Sequence, residues 1–316
     1  PKENSDLTPL FVNPIVGLTT TPSNVGTVDN PPPNISTAEI ASSLSSIINH
    51  DAERISSSLG LPAPKVRAFA RDSVVFITAA EGYVIEAVTV TDTNGNAFMT
   101  SVHKTVKRFS DLPNTAFDGM VVKVTGDDVS KLNDYYVKYE RTDGTPDVAP
   151  RAGVWRECPG PGVATKLNPA TMPHLLVNKG GYFTFGPYES WGERVCGDDA
   201  TAPNPEFIGS PITGVFQYRN RLGLMSEDVV ALSAASEFFT FFPSTVTTTR
   251  DSDPITLSAS IEGAPLLKHA VSLNEETLLF SDRTQFRLVS PDVLSPETAA
   301  INVVTHYRSE ERRVGK

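Results

Sequence analysis

Cysteine is nearly missing from this chain. Only Cys158 and Cys196 occur among 316 residues, so no disulfide framework staples the fold and no cysteine-based zinc cluster can form. Basic residues are also short. There are 27 Lys and Arg against 37 Asp and Glu, a formal charge of -10 and a pI of about 5.0. That balance argues against ordinary DNA or RNA binding, which needs cationic surface to neutralise phosphates. It leaves room for a wall that lets DNA pass without holding it, because an acidic surface repels a polyanion. No apolar run approaches the ~18 residues of a membrane-spanning helix. Pro1-Lys2-Glu3-Asn4-Ser5 has neither a signal peptide's apolar core nor an initiator Met. The expectation is a soluble protein, folded in the cytosol, whose printed sequence begins inside a longer one.

What is present is turn-forming residues. The 25 Pro and 21 Gly make up about 15% of the chain, above the ~12% of an average protein. They punctuate short β-branched runs, the spacing of a β-rich fold. Hydrophobic residues at 39% suffice for a sizeable core.

Residues 1–35 read as an extended segment, since Thr19-Thr20-Thr21-Pro22 and Pro31-Pro32-Pro33 cannot build a core and favour polyproline II. Residues 36–204 read as a helix plus a β-rich domain. Ser36-Thr37-Ala38-Glu39 has capping-box spacing. Ile40, Leu44, Ile47, Ile48, Ile55 and Leu59 recur on one helical face, and Gly60 with Pro62 ends the helix. Strands are expected at Ser73–Thr78, Tyr83–Thr91, Ala97–Thr105, Met120–Thr125, Tyr135–Glu140 and Gly153–Glu157, with Asn94-Gly95 as a hairpin turn. Residues 158–170 form a Pro/Gly-rich loop.

The chain changes character near residue 205. From there, strands are expected at Val215–Tyr218, Val229–Ser233, Phe238–Phe242, Ile255–Ser260, Leu266–Val271, Leu278–Ser281 and Gln285–Leu288. Seven short strands at this spacing suit a sandwich, barrel or propeller. The final charge run, Arg308–Lys316, has no strand pattern. It resembles translated sequencing-adapter read-through, is set aside as non-native, and implies a natural chain continuing past Tyr307.

Signals for chemistry are weak. His50, His103, His174, His269 and His306 lie at no metal-ligand spacing from one another or from a Cys. No Gly-x-Ser-x-Gly elbow occurs. Gly160-Pro161-Gly162 cannot cradle phosphate, because Pro lacks the N–H such loops use. Two acidic clusters, Asp198-Asp199 and Asp251-Ser252-Asp253-Pro254, admit two readings. They are half of a glycosidase pair or a calcium site, or they are turn residues bonding their own backbone. Arg219 and Arg221 flank Asn220 before Leu222-Gly223. They suit phosphate binding, or a strand entering a Gly turn whose guanidinium groups bond loop carbonyls or acids such as Glu227 and Asp228. Phe238, Phe239, Phe241 and Phe242 read as core.

An ordered series of phrases carries a resemblance. Phe109-Ser110-Asp111-Leu112-Pro113, Thr171-Met172-Pro173-His174, Cys196-Gly197-Asp198 and Pro205-Glu206-Phe207-Ile208-Gly209 begin it. Phe216-Gln217-Tyr218-Arg219-Asn220-Arg221-Leu222-Gly223, Phe238–Pro243, Asp251-Ser252-Asp253-Pro254-Ile255, Leu267–Val271 and Leu278–Phe286 continue it. Over roughly residues 70–307 the chain resembles the tail tubular protein B family, the nozzle proteins of T7-like short-tailed bacteriophages. Phe216, Arg219, Asn220, Arg221, Leu222, Gly223, Asp251, Asp253 and Pro254 are its family motif here.

The resemblance implies a mainly β fold with a minor α component, residues 205–307 forming the first part of a β-propeller. It implies a structural virion protein and not an enzyme, with no cofactor, metal or catalytic residue to carry over. It also implies a homo-hexameric ring below a tail adaptor of the tubular protein A type, near tail fibres, through which viral DNA passes without specific binding. The place is the virion tail, after assembly in the host cytoplasm. An alternative is a tail-associated carbohydrate-binding or depolymerase protein, using Asp198, Asp199, Asp251 or Asp253, or solvent-facing aromatics.

Overall fold

The computed structural model describes residues 36–91, 99–126, 134–142, 150–259, 265–273 and 276–306. The extended segment expected over 1–35, the Asn94-Gly95 turn and the charge run 308–316 lie outside them. The chain is mainly β, with one α-helix among the described residues. It divides into two compact units between Arg156 and Glu157, whereas the sequence places its change of character near residue 205.

In the first unit, α1 (Thr37–Ser58) starts at Ser36, whose hydroxyl accepts from the Ala38 N–H at 3.2 Å. Ala41, Leu44 and Ile48 pack onto Ala68, Ala70, Val75 and Ile77 of the hairpin β1 (Val66–Arg71) and β2 (Val74–Ala79). Asn49 fastens the contact, accepting from the Ala68 N–H at 2.7 Å and donating to its carbonyl at 2.6 Å. The expected single apolar face is only partly covered. Ile47, Ile55 and Leu59 are exposed. Ile47 lies beside the packed stripe of Leu44 and Ile48. Ile55 and Leu59 lie towards the end of a 22-residue helix that runs about 33 Å against six-residue strands of about 20 Å.

Tyr83–Thr91 is not a strand, and among the described residues of the expected strand Ala97–Thr105 only Thr105 pairs, at the start of a two-residue strand with Val106. Alternation says which side chains share a face; it does not supply a neighbour to complete the ladder. The five-stranded sheet comprises β3 (Thr105–Val106), β4 (Thr115–Ala116), β5 (Val121–Val124), β6 (Tyr135–Arg141) and β7 (Arg151–Cys158), in the order β3-β5-β6-β7-β4. Phe76, Phe117, Val122, Val137 and Tyr139 centre its core. Tyr139 is fully buried and satisfies its hydroxyl between the Asn114 and Arg151 carbonyls, each 2.7 Å away. Burial, the largest influence, pushes its pKa up.

The second unit opens with a coil through the Pro/Gly-rich stretch. A two-stranded hairpin follows, β8 (Leu175–Asn178) with β9 (Phe183–Gly186), which the sequence reading missed. Two four-stranded antiparallel sheets come next, each in simple chain order. One is β10 (Ile212–Tyr218), β11 (Arg221–Ser226), β12 (Val229–Leu232) and β13 (Ile255–Ser258). The other is β14 (Leu267–Leu273), β15 (Glu276–Ser281), β16 (Thr284–Val289) and β17 (Ala300–His306).

Their first strands lie side by side. Thr213 Oγ1 donates to the Leu267 carbonyl at 2.8 Å, and Ser272 Oγ donates to the Gln217 carbonyl at 2.8 Å. Met225, Val230, Leu232, Leu267, Leu279 and Phe286 share the core between the two sheets. On the opposite face of the first sheet, Leu224 and Ala231 join Trp191, Phe207, Phe241 and Phe242 in a second core.

Phe238–Phe242 enters that core without being a strand. The Thr240 N–H reaches back to the Glu237 carbonyl at 3.1 Å, a local turn, and Ser236 before it has φ +65°. Three of its four aromatics join the core: Phe241 and Phe242 are buried there and Phe239 packs against it, with Phe239 and Phe241 at 5.3 and 6.1 Å from the Trp191 ring centroid. Phe238 is half-buried and belongs to none of the core clusters.

Candidate functional site

The second unit is organised around a buried cation. Tyr218 pairs with Arg221, leaving a two-residue turn, Arg219-Asn220, at φ +40° and +62°. Both signs are those of a type I′ hairpin, whose twist suits antiparallel strands. Asparagine takes this conformation readily and arginine does not, so the turn needs anchors. Arg219 Nη1 donates to the Asp292 carbonyl at 2.8 Å. Asn220 Nδ2 donates to Ser236 Oγ at 2.6 Å, and the Ser236 N–H returns a bond to the Asn220 carbonyl at 3.0 Å.

Arg221 is next, and it is 1% exposed. Nη1 donates to the carbonyls of Ser233 and Asp253, each at 2.7 Å, with Ser252 at 3.4 Å. Nη2 donates to the carbonyls of Asp251 at 2.5 Å and Leu294 at 3.1 Å. One planar fork thus ties the first hairpin, the turn before β13 and the loop before β17. Lysine offers no such fork. Burial lowers the pKa of Arg221, and the charge of Asp253 opposes that shift.

The remaining motif residues shape this knot. Gly223 faces Phe216 across the hairpin, and a Cβ there would lie 2.4 Å from the ring's Cζ. Glycine is therefore required for the ring to lie on the backbone. The Leu222 N–H donates to Ser233 Oγ at 3.0 Å, and the Ser233 N–H donates to the Leu222 carbonyl at 2.8 Å. The buried Asp253 carboxylate accepts from the Arg250 N–H at 2.8 Å and from Ser244 Oγ at 3.4 Å. Pro254 follows, half-buried, where β13 begins.

The structure thus brings the sequence-level motif together, with corrected chemistry. The turn is at Arg219-Asn220, while Gly223 lies inside β11. Glu227 and Asp228 form the turn at the far end of β11 and so are not partners of Arg221. Among the described contacts of Arg219 and Arg221, the acceptors are backbone carbonyls, which leaves a phosphate-binding role without support.

The acids serve turns as well. Asp198 Oδ1 accepts from the Ala200 and Thr201 N–H groups at 3.0 and 3.1 Å, an Asx-type cap. Asp199 pairs with Arg194 at 2.9 Å, and Asp251 offers the knot its backbone carbonyl. Among the described residues, no group of three or more His, Cys, Asp or Glu side chains is gathered to hold a metal ion.

Two structural centres escaped the sequence reading. Arg194 is 2% exposed, donates to Asp199 and Asn204 at 2.9 Å each and stacks 5.2 Å from the Phe242 ring centroid. Glu157 accepts from Thr245 Oγ1 at 2.6 Å and the Val246 N–H at 2.8 Å. Neither sits in a recognisable pattern, since each partner is distant in sequence or within a loop. Beside them, burial pushes the Cys196 thiol up to about 12, with Glu157 and Asp253 adding to the shift and Arg194 opposing it. That thiol points to the Pro243 carbonyl, 3.2 Å away.

The sequence profile described as bacteriophage nozzle protein matches residues 16–313. The chain belongs to that family. Tail tubular protein gp12 of Escherichia phage T7 is 34% identical to this nozzle-family chain over 239 residues, which cover 75% of the chain and 29% of that relative. The nozzle-family chain therefore spans less than a third of the relative's length. In this chain the contacts of Arg219, Asn220, Arg221, Gly223 and Asp253 are those of a scaffold that holds turns and hairpins together.

Proposed function

We propose that the chain is part of a structural subunit of a short-tailed phage's nozzle, and that copies of it close into a ring through which viral DNA leaves the particle. The family match over residues 16–313 is the observation that carries this reading. A conduit must guide a polyanion without gripping it, and a net charge of -10 suits that task. The ring is six-fold, its contacts are heterologous because a cyclic assembly closes that way, and its upper neighbour is a tail adaptor. Tail fibres attach nearby, and the site of action is the virion tail. No enzyme activity is part of this role.

The two four-stranded sheets support a propeller for the second unit. Each runs β-meander fashion, and their first strands lie side by side through Thr213–Leu267 and Gln217–Ser272. Repeated four-stranded sheets of this kind are the blades that a propeller arranges around a central channel. In this reading Arg221 locks a blade's inner hairpin to the connections entering β13 and β17.

The conduit role is tested by titrating the full-length protein with duplex DNA at physiological salt. The expected outcome is no retention below micromolar DNA concentrations. Nanomolar binding that weakens steeply with salt, the mark of many phosphate contacts, would contradict a passive channel.

A further inference from the structure

The hairpin of β8 and β9 is built unlike the rest of the second unit. It is a sheet of two strands only, and a lone two-stranded hairpin is at best marginally stable in water. Leu176 pairs with Phe185, and Asn178 pairs with Phe183, so these four side chains share one face. On it Leu176 is 66% exposed, Phe183 64% and Phe185 72%. His174, at 5.5 Å, is the described ring contact of Phe185, and the face belongs to none of the unit's core clusters. Large aromatic side chains left this open on a folded surface mark a docking site.

Charge indicates the occupant. Between Glu157 and Glu189 the sequence contains no Asp or Glu, and while Lys166 is paired with Glu193 at 2.9 Å, the hairpin itself carries Lys179. Lys179 lies in the turn at the hairpin's tip, followed by Gly180 and Gly181. An acid-free apolar hairpin thus sits in a chain whose net charge is -10, which makes it complementary to the surface of its own kind. A tail nozzle is an oligomeric assembly, and a cyclic one needs two different patches per copy, one gripping and one gripped.

We propose that the β8–β9 hairpin is the gripping arm between neighbouring copies of this chain: a second copy covers Leu176, Phe183 and Phe185, with Lys179 against its acidic surface. The proposal rests on the nozzle reading above, since it needs an assembly of copies. Aromatic anchors of this kind dominate interface energetics, while the tip lysine contributes mainly to orientation and encounter.

The test uses full-length protein with a benzophenone photo-crosslinking residue at position 185, assembled from equal amounts of isotopically light and heavy subunits. Irradiation is expected to give crosslinked peptides from position 185 in which about half pair a light with a heavy chain, as random mixing of copies requires. Crosslinks confined to one isotope within oligomers would show that the rest of the same chain covers the hairpin, overturning the proposal while leaving the nozzle reading intact. Crosslinks only to lipid, sugar or another virion protein, or none at all, would overturn it too. A sample that never oligomerises would remove both. As a second variant, Phe183→Ser with Phe185→Ser is expected to weaken assembly at least tenfold by native mass analysis while the circular dichroism melt stays unchanged. Unweakened assembly would contradict the arm.

Discussion

The guanidinium of Arg221 donates to the backbone carbonyl of Asp253 at 2.7 Å, while the Asp253 carboxylate is turned to the Arg250 N–H and Ser244. Opposite charges in one buried knot thus each satisfy the backbone. The motif works as a staple for chain crossings, and its failure should be read in stability.

Arg221→Lys keeps the charge but loses the planar fork, so several buried carbonyls lose their donor. The expected cost is about 3–5 kcal/mol, the scale of breaking a buried polar network by removing one partner. Urea unfolding followed by Trp191 fluorescence, in a Trp155→Phe background, measures it for the second unit. A loss under about 1 kcal/mol would mean that the carbonyls find other partners.

Gly223→Ala puts a methyl group into the Phe216 ring, 2.4 Å from its Cζ. Overpacking of this sort costs about 1–3 kcal/mol. Combined with Phe216→Leu, the penalty should shrink, giving a coupling of about 1 kcal/mol in a double-mutant cycle. Additive losses would show that the two positions act apart.

Cys196 should resist alkylation at pH 8 in the native state and react once the protein is unfolded, since burial pushes its thiol up to about 12 from 9.0. The pKa is raised in the folded state, so the linked stability is fully present below pH 9. It falls as pH rises from 9 towards 12, where the unfolded chain has already released its proton and the folded one has not. Iodoacetamide labelling read by mass spectrometry, together with urea midpoints between pH 8 and 11, checks both statements.

Asp198→Ala removes the acceptor for the Ala200 and Thr201 N–H groups. A loss of about 1–2 kcal/mol is expected, with Asp198→Asn recovering most of it because an amide oxygen still accepts. A depolymerase carboxylate would behave differently, with turnover of an envelope polysaccharide disappearing in Asp198→Asn while stability stayed unchanged.

The sequence made legible whatever depends on local chemistry. The helix start at Ser36, the strands at Met120–Thr125 and Tyr135–Glu140, and most strands after residue 205 follow from capping, alternation and turn residues. What depended on distant partners was hidden. Tyr83–Thr91 alternates like a strand but finds no ladder, and Phe238–Phe242 has strand composition but folds as a core turn. The β8–β9 hairpin was missed because Pro and Gly around it read as loop. At the candidate site, the residues were identified by resemblance, and their role was not. Nothing in Arg219-Asn220-Arg221 announces that one arginine anchors a turn through Asp292 while the next gathers five carbonyls from positions up to Leu294.

The central claim, a structural subunit that closes into a nozzle ring, is tested most directly by native mass measurement and negative-stain imaging of the full-length protein, alone and with its tail adaptor. A closed six-copy ring with a central hole is the expected result. A monomer in both conditions would contradict it.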